Sequence, residues 1–201
     1  MNKSKNYNME AIDMKSKLLF EDLVKKDNIE ILEKSENIIT DLYNIYNKYS
    51  DRLFFSVMEN CGGIIIDNWI RLYGCGQLNV IEKNKKYNKE NTVDIILGED
   101  IIGGLFALKD GFVYYFAPDT LKWENLNIYY ANYIDWLINS NENVNKFYEL
   151  YRWDTWKDDV SNISLDDGIS FYPPLFTKYN INERSKKVIP MDEIIGINME
   201  I

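Results

Sequence analysis

The chain has 201 residues, a formal net charge of -9 and no histidine. Its hydrophobic fraction of 46% supplies enough apolar surface for one folded domain without help from disulfides or metals. The negative charge disfavours binding to nucleic acids and to anionic membrane surfaces, and the lack of histidine excludes His-based catalytic triads and the usual zinc sites.

Helical patterns dominate the first part of the sequence. Apolar residues recur at helical spacing from about residue 8 to 26, and again from 38 to 49 behind Ser35, a residue type that caps helix N-termini. A third short helix is predicted for residues 51–60. We therefore divide the chain into an N-terminal helical segment, residues 1–34, and a single α+β domain, residues 35–201.

Strand-like patterns begin at Gly62-Gly63. The following stretch, IIIDNWIRLYGCG, predicts two short strands around an Asp67-Asn68 turn. Residues 82–91, EKNKKYNKEN, are polar and aperiodic, so they are predicted to form a flexible loop.

Three more strands are predicted in TVDIILGED, IIGGLFALK and GFVYYFAP. Asp110-Gly111, between the last two, is a typical two-residue hairpin turn. Gly103-Gly104 in the middle strand indicates a bulge or a close approach of backbone. Pro118 has no amide donor and is predicted to end the third strand. Trp123 should then pack under a helix that begins near Asn127.

The last third of the sequence is mainly helical. YYANYIDWLI and NENVNKFYELY carry apolar residues at i, i+3 and i+4 spacing, and Trp153 and Trp156 suggest one or two further turns. Pro173-Pro174 should stop the extended segment GISFY, because the residue before a proline avoids helical angles. A final strand is predicted in KKVIP.

This order of elements predicts an α+β fold. Short hairpin connections leave no room for parallel crossovers, so the sheet should be mainly antiparallel, with about five to six strands. Runs of helix before and after the strands favour helices packed on one face of the sheet.

No cofactor or metal site is evident in the sequence. Neither a phosphate loop nor a dinucleotide fingerprint is present. Cys75, in YGCG, could present a thiol but is more typical of a small turn residue, and Cys61 is expected to be packed. Two cysteines do not make a disulfide framework and the N-terminus lacks a signal-peptide pattern, so we expect a cytoplasmic protein.

The region from 119 to 167, called the acidic segment below, holds ten acids and four bases. Such a surface would attract a basic protein. Paired acids beside tryptophans are also found in sites that cleave glycosides. The simpler interpretation is that these acids cap helices and offset helix dipoles. Five of them are the candidate partner-binding residues: Asp119, Glu124, Asp154, Asp158 and Asp159.

Several blocks resemble those of a bacterial family catalogued as domain of unknown function 2625. They are GGIIID, IIGGLFAL, VYYFAPDTLKWENL, YANYIDWL, RWDTW, SFYPPLF and IPMDEIIGINME. The Gly-Gly block and the helix YYANYIDWL are also similar, more distantly, to the SUKH superfamily of α+β domains. Many members of that superfamily are cytoplasmic immunity proteins that neutralise toxins, and others are adaptors. The resemblance thus implies a SUKH-like fold and no catalytic residues.

We therefore expect a non-enzymatic protein-binding module, an immunity protein or an adaptor, that binds a basic partner such as a toxin domain. The alternative is a carboxylate-dependent hydrolase acting on a saccharide-like molecule. That alternative predicts a concave pocket that holds two acids and has tryptophan at its wall.

Overall fold

The computed structural model describes residues 22–23, 25–35, 53, 57–58 and 60–200. The helix predicted at 38–49 lies outside these residues, as does most of the one predicted at 8–26. In the third predicted helix, residues 51–60, the described positions are helical.

A seven-stranded antiparallel sheet forms the centre of the molecule, with its strands adjacent in chain order. The strands are β1 Ile29–Leu32, β2 Gly63–Ile66, β3 Ile70–Tyr73, β4 Ile95–Asp100, β5 Leu105–Lys109, β6 Phe112–Ala117 and β7 Lys122–Tyr129. A separate antiparallel pair consists of β8 Asp167–Tyr172 and β9 Ser185–Pro190. The described residues also form five named helices: α1 Val80–Tyr87, α2 Tyr130–Asn139, α3 Asn141–Phe147, α4 Trp156–Val160 and α5 Met191–Glu200.

Both predicted hairpin turns are present. Asp67 and Asn68 join β2 to β3 with positive φ angles of 55° and 53°, and Asp110 and Gly111 join β5 to β6 at 52° and 83°. Asp, Asn and Gly tolerate this left-handed region better than other residues, so these pairs set the registers of the strands that flank them.

The sheet has more strands than the five to six predicted. In the segment predicted to be N-terminal and helical, β1 pairs with β2. In the segment predicted to lead into a helix near Asn127, β7 pairs with β6, and the helix α2 begins only at Tyr130. Trp123 lies in β7 opposite Phe116, with their ring centroids 5.5 Å apart, and not under a helix. Pairing with β6 stabilises a strand in which four of the eight residues are polar or charged.

The prediction of a flexible loop at residues 82–91 is also wrong, because most of these residues lie in helix α1. The Asn79 side chain caps this helix by accepting hydrogen bonds from the amides of Ile81 and Glu82. Asn84, one turn further on, donates to the Ile96 carbonyl and accepts from the Ile96 amide. The helix is therefore held by contacts with β4 that its polar sequence does not reveal.

Helices pack on both faces of the sheet, contrary to the prediction of one covered face. Phe106 of β5 contacts Tyr133 of α2 and Phe147 of α3. Glu99 of β4 points to the opposite face, where it contacts Lys83 of α1. Because both faces are covered, β4 is buried along its whole length.

Glycines and prolines shape the connections around the core. Gly103 and Gly104 lie in the β4–β5 turn and not within a strand, and a Cβ on Gly104 would lie 2.2 Å from the Tyr115 hydroxyl. Of the two roles predicted for these glycines, the structure therefore shows the close approach of backbone and not the bulge. Gly62 is equally confined, since its Cβ would lie 1.9 Å from the Glu33 carbonyl oxygen.

The predicted strand ends at prolines are confirmed. Strand β6 ends at Ala117, before Pro118, and β8 ends at Tyr172, before Pro173. The buried Arg184 guanidinium donates to the carbonyls of Pro173 and Pro174 and so holds the following loop against β9.

Candidate functional site

Asp119 lies in the turn between β6 and β7, one of the positions that the capping interpretation allowed, whereas Glu124 lies in β7 opposite Tyr115 and caps no helix. Asp119 is half-buried and accepts a hydrogen bond of 2.7 Å from the Tyr151 hydroxyl. Glu124 is exposed and accepts one from the Thr120 hydroxyl. Asp119 thus ties this turn to the chain that follows α3, whereas Glu124 points to solvent.

The other three candidate acids lie in or just before α4, and all three are exposed. Asp159 accepts hydrogen bonds from the Trp153 indole N–H and the Thr155 hydroxyl, and both bonds lower the pKa of Asp159. Asp154 accepts one hydrogen bond from the Asn182 amide. Asp159 therefore has a structural role, while Asp154 and Asp158 are better placed to meet a partner.

Most acids of the acidic segment face solvent. Among the residues that the structure describes, none of the ten forms a salt bridge with lysine or arginine. The exposed ones are Glu124, Asp135, Glu142, Glu149, Asp154, Asp158, Asp159 and Asp166. Their charge is therefore not neutralised by ion pairing.

The two tryptophans beside these acids belong to an aromatic cluster. Trp153 is buried, and its ring centroid lies 5.9 Å from that of Trp69 and 5.6 Å from that of Phe171. Trp156 is half-buried, and the Arg152 guanidinium lies 4.0 Å from its ring centroid. The cluster anchors α4 against the sheet and leaves part of Trp156 at the surface.

A cleft of about 320 Å³ lies beside Trp156. It is called the Trp156 cleft below, and it brings together residues from three distant parts of the chain. The polar groups that line it are Asp27, Asn28, Glu30, Asp67, Asn68 and Lys157. Asp67 accepts a hydrogen bond of 3.1 Å from the Asn28 amide, which links the start of β1 to the β2–β3 turn.

The sequence interpretation missed Asp27, Glu30 and Asp67 as potential site residues. Their positions gave no local signal, because they meet Trp156 only in the folded chain. Asp27 and Glu30 are exposed and Asp67 is half-buried. The cleft holds acids with tryptophan at its wall, which are the groups that the hydrolase alternative requires.

Two further acids, Glu99 and Asp100, are fully buried in β4. The Glu99 carboxylate accepts hydrogen bonds from the Tyr73 hydroxyl and from Lys83. The Asp100 carboxylate accepts from the hydroxyls of Tyr115 and Tyr148. Both acids are thus saturated by partners from the protein itself, so we assign them to structure.

The cysteines are not placed for nucleophilic chemistry. Both Cys61 and Cys75 are buried and at most 1% exposed. Burial raises the pKa of Cys61 to about 12, which keeps it in the unreactive thiol form near neutral pH.

The described residues form neither a cluster of metal-ligating side chains nor a membrane-spanning helix. Within the described ranges, no group of three or more cysteine, aspartate or glutamate residues could hold a metal ion. In the same part of the chain, none of the helices has both the length and the apolar run that a bilayer-spanning helix requires.

Comparisons with other proteins place the chain in a family. The model of DUF2625, a protein of unknown function, matches residues 17–194. The chain is 32% identical to the uncharacterized protein YbfG of Escherichia coli strain K12 over 151 residues, 69% of this chain and 68% of that protein. It is 25% identical to an uncharacterized protein of Haemophilus influenzae over 185 residues, 83% of this chain and 80% of that protein. The chain therefore belongs to the DUF2625 family, and these matches do not support the SUKH resemblance.

Proposed function

We propose that this DUF2625 protein is a non-enzymatic protein-binding module that recognises a basic partner through its acidic segment. The observation that supports the proposal is the exposure of eight acids in this segment without salt bridges among the described residues. Unpaired surface charge of one sign steers an oppositely charged protein during diffusion and raises the association rate.

An immunity protein or an adaptor of the cytoplasm is the biological role that we propose for this module. The hypothesis draws on the resemblance of the Gly-Gly block and the helix YYANYIDWL to SUKH domains, which is an analogy of fold. A toxin domain that binds nucleic acid is typically basic and would suit the negative surface. A chain with only two cysteines has no disulfide framework, which is typical of proteins in a reducing compartment.

The test begins with affinity capture from the native host at low salt, using the full chain as bait. The surface variant is Glu149→Gln/Asp154→Asn/Asp158→Asn. Asp159 is left intact because it bonds to Trp153. A charge-matched control, Glu90→Gln/Glu193→Gln/Glu200→Gln, neutralises three exposed acids outside the acidic segment.

We expect a basic partner that the wild type and the control retain and that the surface variant binds more slowly. The association rate with the surface variant should also depend less steeply on salt, because fewer charges attract the partner. An immunity protein should in addition inhibit the activity of its captured partner. Equal association rates for the wild type and the surface variant at low salt would contradict the proposal.

A carboxylate-dependent hydrolase acting on a saccharide-like molecule is the second candidate. The residue types in the Trp156 cleft favour it, since three acids and a tryptophan line one concavity. Its weakness is that Asp27, Glu30 and Asp67 are exposed or half-buried, whereas a carboxylic acid that acts as proton donor is typically buried in apolar surroundings. Turnover of an aryl glycoside that Asp67→Asn abolishes, with the fold intact, would establish this candidate.

A further inference from the structure

The Trp156 cleft and the acidic segment meet at α4. This short helix contributes Trp156 and Lys157 to the cleft and also carries Asp158, while Asp154 lies just before it. A partner attracted by the acids of this region is therefore brought directly to the opening of the cleft.

The charges and the ring in the cleft are suited to a cation. Asp27, Glu30 and Asp67 contribute three carboxylates, against the single ammonium group of Lys157. The Trp156 ring offers a face that attracts cations through its quadrupole. Within this protein the Trp156 ring already interacts with two cations. The Arg152 guanidinium lies 4.0 Å and the Lys157 ammonium 5.6 Å from the ring centroid.

The positive charge near the cleft is smaller than the negative charge of its lining. Arg152 lies over Trp156 outside the cleft lining and its charge interacts with Asp67, so it and the exposed Lys157 contribute two positive charges against three carboxylates. The volume of about 320 Å³ is near the lower limit for small-molecule pockets. It suits one long side chain better than an oligosaccharide.

We propose that the Trp156 cleft receives an arginine or lysine side chain of the basic partner, which stacks on Trp156 and pairs with the surrounding carboxylates. This inference rests on the proposed function and adds to it a specific anchor. Interface hot spots are enriched in tryptophan and arginine, the two residue types that would pair in this cleft. The acidic segment then governs the association rate, and the cleft governs how long the complex lasts.

The test uses the full chain and propylguanidinium, a mimic of the arginine side chain, with its uncharged analogue propylurea as the matched ligand control. Binding is followed by NMR at the Trp156 indole N–H, identified as the resonance that Trp156→Phe removes. We expect propylguanidinium to shift this resonance in a saturable way and propylurea to leave it in place.

Variants test the role of the carboxylates. Asp27→Asn/Glu30→Gln/Asp67→Asn should weaken propylguanidinium binding about tenfold or more, because three weak charge pairs are lost. Asn at position 67 keeps a residue that tolerates the positive φ of this turn. Glu90→Gln/Glu193→Gln/Glu200→Gln should bind as the wild type does. The amide spectrum of each variant verifies that the fold is intact.

Three outcomes would overturn the inference: no saturable shift with propylguanidinium, equal shifts with both ligands, or a larger shift with the neutral trisaccharide maltotriose. The last would favour the hydrolase candidate. A failure here is distinguishable from a failure of the proposed function. Partner capture could still depend on Asp154 and Asp158 when the cleft binds no guanidinium.

Discussion

Glu99 and Asp100 are consecutive buried carboxylates whose side chains leave β4 on opposite faces of the sheet. Glu99 lies opposite Arg71 of β3, with 3.6 Å between a guanidinium nitrogen and a carboxylate oxygen. Asp100 is bonded on the other face by two tyrosines, at 2.7 Å from Tyr115 and 3.1 Å from Tyr148. Because Glu99 also accepts a hydrogen bond from Lys83 of α1 and Tyr148 directly follows α3, this one strand is tied to the helical layers on both faces of the sheet.

Asp100→Ala should destabilise the protein strongly. The Asp100 carboxylate also accepts hydrogen bonds from the amides of Ile102 and Gly104, so alanine would leave four buried donors without an acceptor. We expect the free energy of unfolding to fall by about 3 kcal/mol or more, measured by urea denaturation. Asp110→Asn, at an exposed turn, serves as control and should change it by less than about 0.5 kcal/mol.

Arg71→Lys should loosen the segment that leads into β8. The Arg71 guanidinium donates to three carbonyl oxygens, those of Ser164, Leu165 and Asp167, at 2.8 to 2.9 Å. An ammonium group cannot reproduce this planar arrangement of donors, so we expect a loss of about 2 kcal/mol. Amide exchange at Ile169, which donates to the Ile101 carbonyl, should accelerate. Exchange rates equal to those of the wild type would contradict the anchoring role of Arg71.

Asp159 should make the Trp153 environment sensitive to acid. Hydrogen bonds from Trp153 and Thr155 lower the pKa of Asp159, so its contribution to stability is present above the ordinary aspartate pKa of about 3.9 and is lost as the pH falls through the lowered value. The NMR resonance of the Trp153 indole N–H should titrate with a midpoint below that ordinary value. Asp159→Asn should abolish this titration, and Asp158→Asn should preserve it.

Cysteine reactivity should appear only on unfolding. Burial of Cys61 and Cys75, together with the raised pKa of about 12 for Cys61, leaves little accessible thiolate at pH 8. We expect Ellman's reagent to modify the native protein slowly and the urea-unfolded protein quickly, at both cysteines. Ser161→Cys, at an exposed position, provides the control that reacts in the native state. Rapid native modification lost in Cys75→Ser would instead support a reactive Cys75.

The hairpin elements were predictable because their signals are local. Asp110-Gly111 adopts the positive φ angles that a two-residue hairpin requires, and the apolar strands on either side pair with each other. By contrast, α1 carried only a weak local signal. Asn79 and the buried positions Val80, Asn84 and Tyr87 follow a capped helical pattern, but the polar residues between them obscure it. The hydrogen bonds of Asn84 with the Ile96 backbone stabilise the helix.

The candidate site was predictable only in part. Exposure of Asp154 and Asp158 follows from their own charge, because a carboxylate without a partner is rarely buried. The structural role of Asp159 could not be predicted from the sequence, because it depends on how the Trp153 ring is oriented against Trp69 and Phe171.

The sequence by itself determined the α+β class, the antiparallel hairpins, the negative surface and the lack of imidazole chemistry. These properties depend on residue types and on spacings of a few residues. Only the tertiary structure decided that β1 and β7 extend the sheet, that both of its faces are covered, and that Asp27, Asp67 and Trp156 share a cleft. These features join residues far apart in the chain, and their stability comes from packing and pairing between segments, which no local pattern encodes.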